Sequence, residues 1–150
     1  MALQTDRERT LTFEFMPLDL GAIHGFQVRF HLYTVPGQVL YETTRRAVLE
    51  GVDGVVFVAD SQASKLQENI ESFGELSEQL RRMNRNIGDF PLVMQWNKRD
   101  LPDILPVQVL EQYLNPYRNP SFEAVAVGGK GVIDTLRVAI NSTLRRLERS

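Results

Sequence analysis

Apolar and polar positions change period along the chain, and each change marks an element. Met1 to Arg9 is polar and unpatterned. From Thr10, Leu11, Phe13 and Phe15 alternate with Thr12 and Glu14, the period of a half-buried strand. Gly21 and Gly25 punctuate a turn, after which Val28, Phe30 and Leu32 alternate with Arg29 and His31. Two alternating strands joined through a Gly-containing turn predict an antiparallel pair. His31 belongs to the polar set, so it is expected to face solvent. Thr34 to Gln38 (TVPGQ) is a loop by its Pro-Gly pair. Tyr41 to Glu50 is a short helix candidate ending before Gly51.

The pattern then becomes more apolar. Val52 to Ala59 (VDGVVFVA) is β-branched and almost without polar positions, which predicts a strand covered on both faces in a parallel sheet. Ser64 and Gln67 resemble a capping box opening a helix, and Leu66, Ile70, Phe73, Leu76, Leu80 and Met83 recur at helical spacing to about Asn86. Pro91 to Trp96 is a second buried strand, Val107 to Leu114 a short helix, and Ser121 to Val127 a third parallel strand. A last helix carries its stripe on Val132, Leu136, Ala139/Ile140, Thr143, Leu144 and Leu147. Alternating strand and helix from Val52 onward predicts an open, doubly wound α/β sheet.

Composition narrows the chemistry. The 150 residues are 43% apolar and 24% charged, enough for one domain with its own core. Seventeen Lys+Arg against nineteen Asp+Glu leave a net charge of −2, so no global field draws the chain to nucleic acid or membrane. No Cys and two His exclude a disulfide scaffold, thiolate metal sites and a Cys nucleophile. No run is long and apolar enough to span a bilayer, and a cytoplasmic location is expected.

In a doubly wound sheet, ligands sit beyond the carboxyl ends of the strands. Three polar clusters fall there: Thr34-Val35-Pro36-Gly37-Gln38, Asn97-Lys98-Arg99-Asp100, and Glu123-Ala124-Val125-Ala126 leading into Gly128-Gly129-Lys130-Gly131. The NKRD tetrapeptide is the most specific. A carboxylate at Asp100 accepts two parallel hydrogen bonds from the N1–H and 2-amino group of guanine, a geometry adenine does not offer. A Lys98 stem can cover the base face, and the Asn97 amide can tie neighbouring loops together. The plainer alternative is a polar loop capped by Asp.

NKRD, PGQ and EAVA, each after a strand, resemble the base and switch motifs of Ras-like small GTPases. TVPGQ, preceded by FHLY and followed by GVDGVVFVADS, is similar to the MglA-type bacterial gliding and polarity GTPases, over Leu3 to about Leu147. The resemblance implies a Ras-like P-loop NTPase fold, a doubly wound and mostly parallel sheet with one antiparallel hairpin, and a GTP-hydrolysing molecular switch binding GTP/GDP with Mg2+. It implies that Asp100, Asn97 and Lys98 read the base and that the Ala126 N–H meets the guanine carbonyl. Gly37 would offer its N–H to the γ-phosphate, and Gln38 would orient the attacking water. Glu8-Arg9-Thr10 resembles the end of the first switch, with Thr10 on Mg2+ and the γ-phosphate and Arg9 as an arginine finger in cis. Alone, a polar ERT before a strand reads as solvated. The implied partner is an MglB-type, roadblock-fold activator docking on Pro36 to Tyr41 and the 10–33 hairpin. Two departures from the common small-GTPase pattern stand out: Val125 where many members have Ser, and Thr34 where most have Asp.

No GxxxxGK(S/T) occurs in the 150 residues, so the backbone nest for the α- and β-phosphates is not encoded among them. In the family that motif follows a first central strand lying between the equivalents of residues 26–33 and 52–59. Residues 1–150 are therefore expected to form a single truncated G-domain missing that strand, with Val55–Val58 and the Phe30/Leu32 face lacking a neighbour. Two readings remain: a P-loop-less copy of a GTPase, deficient in nucleotide binding, or a pseudo-GTPase interaction module docking a roadblock-fold partner without turnover. The truncation reading predicts an in-frame GxxxxGK(S/T) within about 60 codons upstream of Met1, checked by sequencing that DNA. A stop codon immediately upstream contradicts a misassigned start.

Overall fold

The computed structural model of the chain describes Ala2–Leu3 and residues 13–23, 25–35 and 42–148. Arg9, Thr10, Gly37 and Gln38 lie outside the described residues, as do Pro36 and Tyr41. The chain divides into two compact units, Met1–Gly51 and Val52–Ser150.

The first unit is a hairpin of β2 (Phe13–Ile23) and β3 (Phe26–Thr34), extended by a short antiparallel β1 (Ala2–Leu3) that pairs with β2. A helix, α1 (Glu42–Leu49), follows. Along β3, Val28, Phe30 and Leu32 are less exposed than Arg29 and His31, as the alternation predicts. The turn is tighter than expected, because Ile23 already pairs with Phe26 and only two residues connect the strands. Gly21 lies within β2 instead of in the turn. The pairing shifts by one residue between Asp19 and Gly21, and Gly21 takes φ +74° at this bulge. Asp19 Oδ1 fixes the bulge by accepting the Gly21 N–H at 2.9 Å.

The second unit is built on three parallel strands in the order β4 (Val55–Asp60), β5 (Leu92–Asn97), β6 (Ser121–Glu123). The helices are α2 (Leu66–Arg82), α3 (Val107–Leu114) and α4 (Val132–Glu148). Two side-chain bonds on consecutive residues of β5 define the layers. Gln95 Nε2 donates to Thr135 Oγ1 of α4 at 2.9 Å, and Trp96 Nε1 donates to Glu111 Oε2 of α3 at 3.1 Å. Successive strand side chains point to opposite faces, so α3 and α4 cover opposite sides of the sheet. The Phe57 ring meets Phe73 of α2 edge-on at 5.4 Å, which places α2 on the Trp96 side. β5 is therefore buried on both faces, and Leu92, Val93, Met94 and Trp96 join Leu80, Leu110 and Leu114 in the core.

β4 behaves differently. Its strand starts at Val55, and Val58 is 53% exposed although the sequence reads as buried on both faces. Among the described strands β4 pairs only with β5, and Val58 lies on its α4-side face. α2 also starts without the expected capping box: Ala63–Lys65 form a 3-10 turn ahead of it, and neither element has a side-chain cap. The helix stops at Arg82, short of Asn86. Asn84 takes φ +60°, and the Arg85 and Asn84 N–H groups donate to the Leu80 and Arg81 carbonyls, a Schellman closure. β6 ends at Glu123 because the chain turns back, pairing Val125 with Lys130 through bonds of 3.0 and 3.1 Å. Val127, counted in the strand by its apolar character, is fully exposed.

Gly131 closes this turn at φ +80°, where a Cβ would collide with the Glu123 carbonyl and Ala124. Gly131→Ala is expected to destabilise the chain by about 1–3 kcal/mol in urea unfolding. Gly74→Ala is expected to do the reverse by roughly 0.5–1 kcal/mol, since that α2 position opens onto free space.

Candidate functional site

The parallel register brings Asp60, Asn97 and Glu123 to one edge: Asp60 pairs with Asn97, and Trp96 with Glu123. The backbone carries the alignment past the strand ends. The Ser61 N–H donates to the Asn97 carbonyl at 3.0 Å, and the Ala124 N–H to the Trp96 carbonyl at 2.8 Å. The NKRD tetrapeptide with Asn97, Lys98 and Asp100, and the segment that carries Ala126, lie together on this edge.

Asn97 links two loops. Its Oδ1 accepts the Ala126 N–H at 2.9 Å, so the tetrapeptide and the EAVA segment are joined by a direct bond. Arg99 adds a second link. Its backbone N–H donates to the Ala124 carbonyl at 3.2 Å, its Nε to Glu123 Oε1 at 3.1 Å, and its Nη1 to the Leu105 carbonyl at 2.7 Å. The Arg99 side chain is only 16% exposed while Glu123 is 61% exposed. The screened Glu123 pair therefore contributes less than the charge-assisted bond to Leu105. Between these anchors Lys98 adopts φ +64° and accepts the Leu101 N–H at 3.1 Å. A left-handed residue with a side chain costs of order 1–3 kcal/mol, held here by the bonds on either side. The result is a tight loop that leaves Asp100 exposed, with no hydrogen bond or ion pair to its carboxylate among the described residues.

Lys98 is held as well. Its Nζ lies 3.1 Å from Asp60 Oδ2. Asp60 Oδ1 also accepts the Gln62 N–H at 3.0 Å, and Gln62 Nε2 lies 3.1 Å from both carboxylate oxygens. Burial pushes the Asp60 carboxyl up, but Gln62 and Lys98 together outweigh it and hold the group below its ordinary 3.8. Gln62 lies outside every motif read from sequence, and Asp60 lies in the GVDGVVFVADS stretch without a role assigned to it. The signal was the strand-end rule itself, since Asp60 is the first polar residue after the Val55–Ala59 run. Among the described residues no group of three or more His, Cys, Asp or Glu side chains gathers as a metal site.

Asp60 sets a pH dependence. With its folded value lowered, its contribution to stability is complete above the ordinary aspartate range and is lost as pH falls through the folded value. Urea midpoints measured at about pH 6 and about pH 3 are expected to drop more for the native chain than for Asp60→Asn. Equal drops contradict the assignment.

No family model matches the chain. Over 149 residues, 99% of this chain and 76% of the relative, it is 46% identical to the mutual gliding-motility protein MglA of Myxococcus xanthus strain DK1622. Among the described residues no helix is long and apolar enough to cross a membrane. Identity at that level over nearly every residue, with a parallel three-stranded sheet and an antiparallel hairpin, places the chain in the MglA-type family of small Ras-like GTPases.

Proposed function

We propose that the chain is a guanine-nucleotide switch operating in the cytoplasm, in which Asp100 reads the base. The observation that carries this reading is the unengaged, exposed carboxylate of Asp100 on a loop braced by Asn97 and Arg99. A carboxylate so presented is ready to accept the guanine N1–H and 2-amino group together. Lys98 lies beside it with a half-exposed stem that can cover the base face. In the proposed complex the Ala126 N–H, on the segment that Asn97 ties to this loop, faces the guanine carbonyl.

The remaining roles come from the family. Gln38 orients the attacking water, Gly37 offers its N–H to the γ-phosphate, and Arg9 stabilises the charge that develops on transfer. Thr10 contributes a hydroxyl for Mg2+ and the γ-phosphate, and the ion when bound neutralises phosphate charge. Both units act as one G-domain, and the partner is an MglB-type roadblock protein. Because residues 1–150 contain no GxxxxGK(S/T), base contacts dominate and binding by this chain alone is weak. The same feature supports a second reading, a pseudo-GTPase that docks the roadblock partner without turnover.

GDP and ADP binding to residues 1–150 and to a form extended upstream separates the two. The switch reading expects the extended form to bind GDP more tightly. Binding by neither, with capture of the roadblock partner by both, favours the pseudo-GTPase. In the extended form Asp100→Asn is expected to cut the GDP-over-ADP preference roughly 10- to 100-fold, and an unchanged preference overturns the base-reading role. Gln38→Ala or Arg9→Ala is expected to slow hydrolysis by about a thousand-fold or more with binding nearly kept. Normal turnover removes them from the mechanism.

A further inference from the structure

We propose that Asp60 is a positioning residue for nucleotide binding, fixing the Lys98 ammonium from the neighbouring strand so that the lysine stem is set before ligand arrives. The proposal rests on the guanine-reading assignment above and adds a residue to it.

The direction of control follows from which partner is rigid. The Asp60 side chain is 19% exposed, and the Lys98 side chain is 49% exposed. Asp60 is fixed from two sides before Lys98 is considered. Gln62 holds both carboxylate oxygens through its side-chain amide and one of them also through its backbone N–H. Asn69, a buried residue of α2, brackets the Asp60 backbone, accepting its N–H at 3.3 Å and donating to its carbonyl at 2.8 Å. Lys98, by contrast, is a long side chain with many rotamers, leaving a backbone in the left-handed region. The fixed carboxylate therefore orders the mobile ammonium. Pre-ordering that side chain removes an entropy cost that ligand binding would otherwise bear.

A direct test uses the three lysines of the chain, Lys65, Lys98 and Lys130. Reductive methylation with 13C-formaldehyde keeps their positive charge and gives each its own NMR signal. In Asp60→Asn the Lys98 signal is expected to move while those of Lys65 and Lys130 stay in place. GDP titrated into the same samples is expected to bind roughly 5-fold more weakly to Asp60→Asn than to the native chain. In a Lys98→Met background, followed by backbone amide shifts, Asp60→Asn is expected to cause no further loss. An unmoved Lys98 signal overturns the pairing. An equal loss of GDP affinity in both backgrounds assigns Asp60 a merely structural role and overturns the positioning. A native chain whose signals GDP leaves untouched overturns the guanine-reading assignment and the ligand-side role of Asp60 with it. The Lys98 signal without ligand then still decides whether Asp60 holds the ammonium.

Discussion

The site depends on one junction, the cross-link between the ends of β5 and β6. Parallel strands diverge beyond their last ladder bond unless something ties them, and here the ties are Asn97 to Ala126 and Arg99 to Glu123 and Ala124, while Arg99 also bonds the Leu105 carbonyl of its own loop. Not all of these contribute equally. The pair with exposed Glu123 is worth at most about 1 kcal/mol. The bond from the nearly buried Arg99 guanidinium to the Leu105 carbonyl is charge-assisted and worth about 1.5–3 kcal/mol. The carbonyl contact thus holds the loop, and Asp100 is left free as a consequence. A loop that satisfied its own aspartate would have nothing to offer a base.

The junction is rigid because β5 is. Trp96, fully buried one residue before Asn97, has an indole N–H that needs a partner, and Glu111 supplies it. Glu111 also accepts from Ser121 Oγ at 2.6 Å and Asn115 Nδ2 at 2.8 Å. One carboxylate thus joins β5, β6 and α3 beneath the loops, and its acceptor capacity is shared among three donors. On the opposite face Gln95 and Thr135 do the same with α4, Thr135 donating in turn to the Gly131 carbonyl at 2.7 Å. Packing and polar satisfaction agree on a single register for β5, and the register aims the tetrapeptide.

Much of this was legible from residue order alone. The β5 run reads as buried because it is covered on both faces, and its one polar interior residue, Gln95, has a partner. The tetrapeptide after Trp96 stands where ligands sit in such a sheet, at a strand end. What stayed hidden was tertiary. Val127 is apolar like the strand residues before it, yet it is fully exposed because the chain turns back after Glu123. Ser64 has the chemistry of a helix cap, but Asp60 and Asn69 organise that start of α2 instead. Gly21 reads as a turn residue, and a bulge requires the same positive φ. Asp60 lies in the GVDGVVFVADS stretch, but its contact with Lys98 needs β4 beside β5 and the Lys98 loop folded back toward it.

The central claim is that the edge formed by β5 and β6 recognises guanine. The most direct measurement is a titration of the 15N-labelled chain with GDP and, in parallel, with ADP, following the amide signals. Shifts confined to residues 97–100 and 124–126, present with GDP and absent with ADP, are the predicted result. Equal shifts with both nucleotides, or shifts elsewhere in the chain, contradict it.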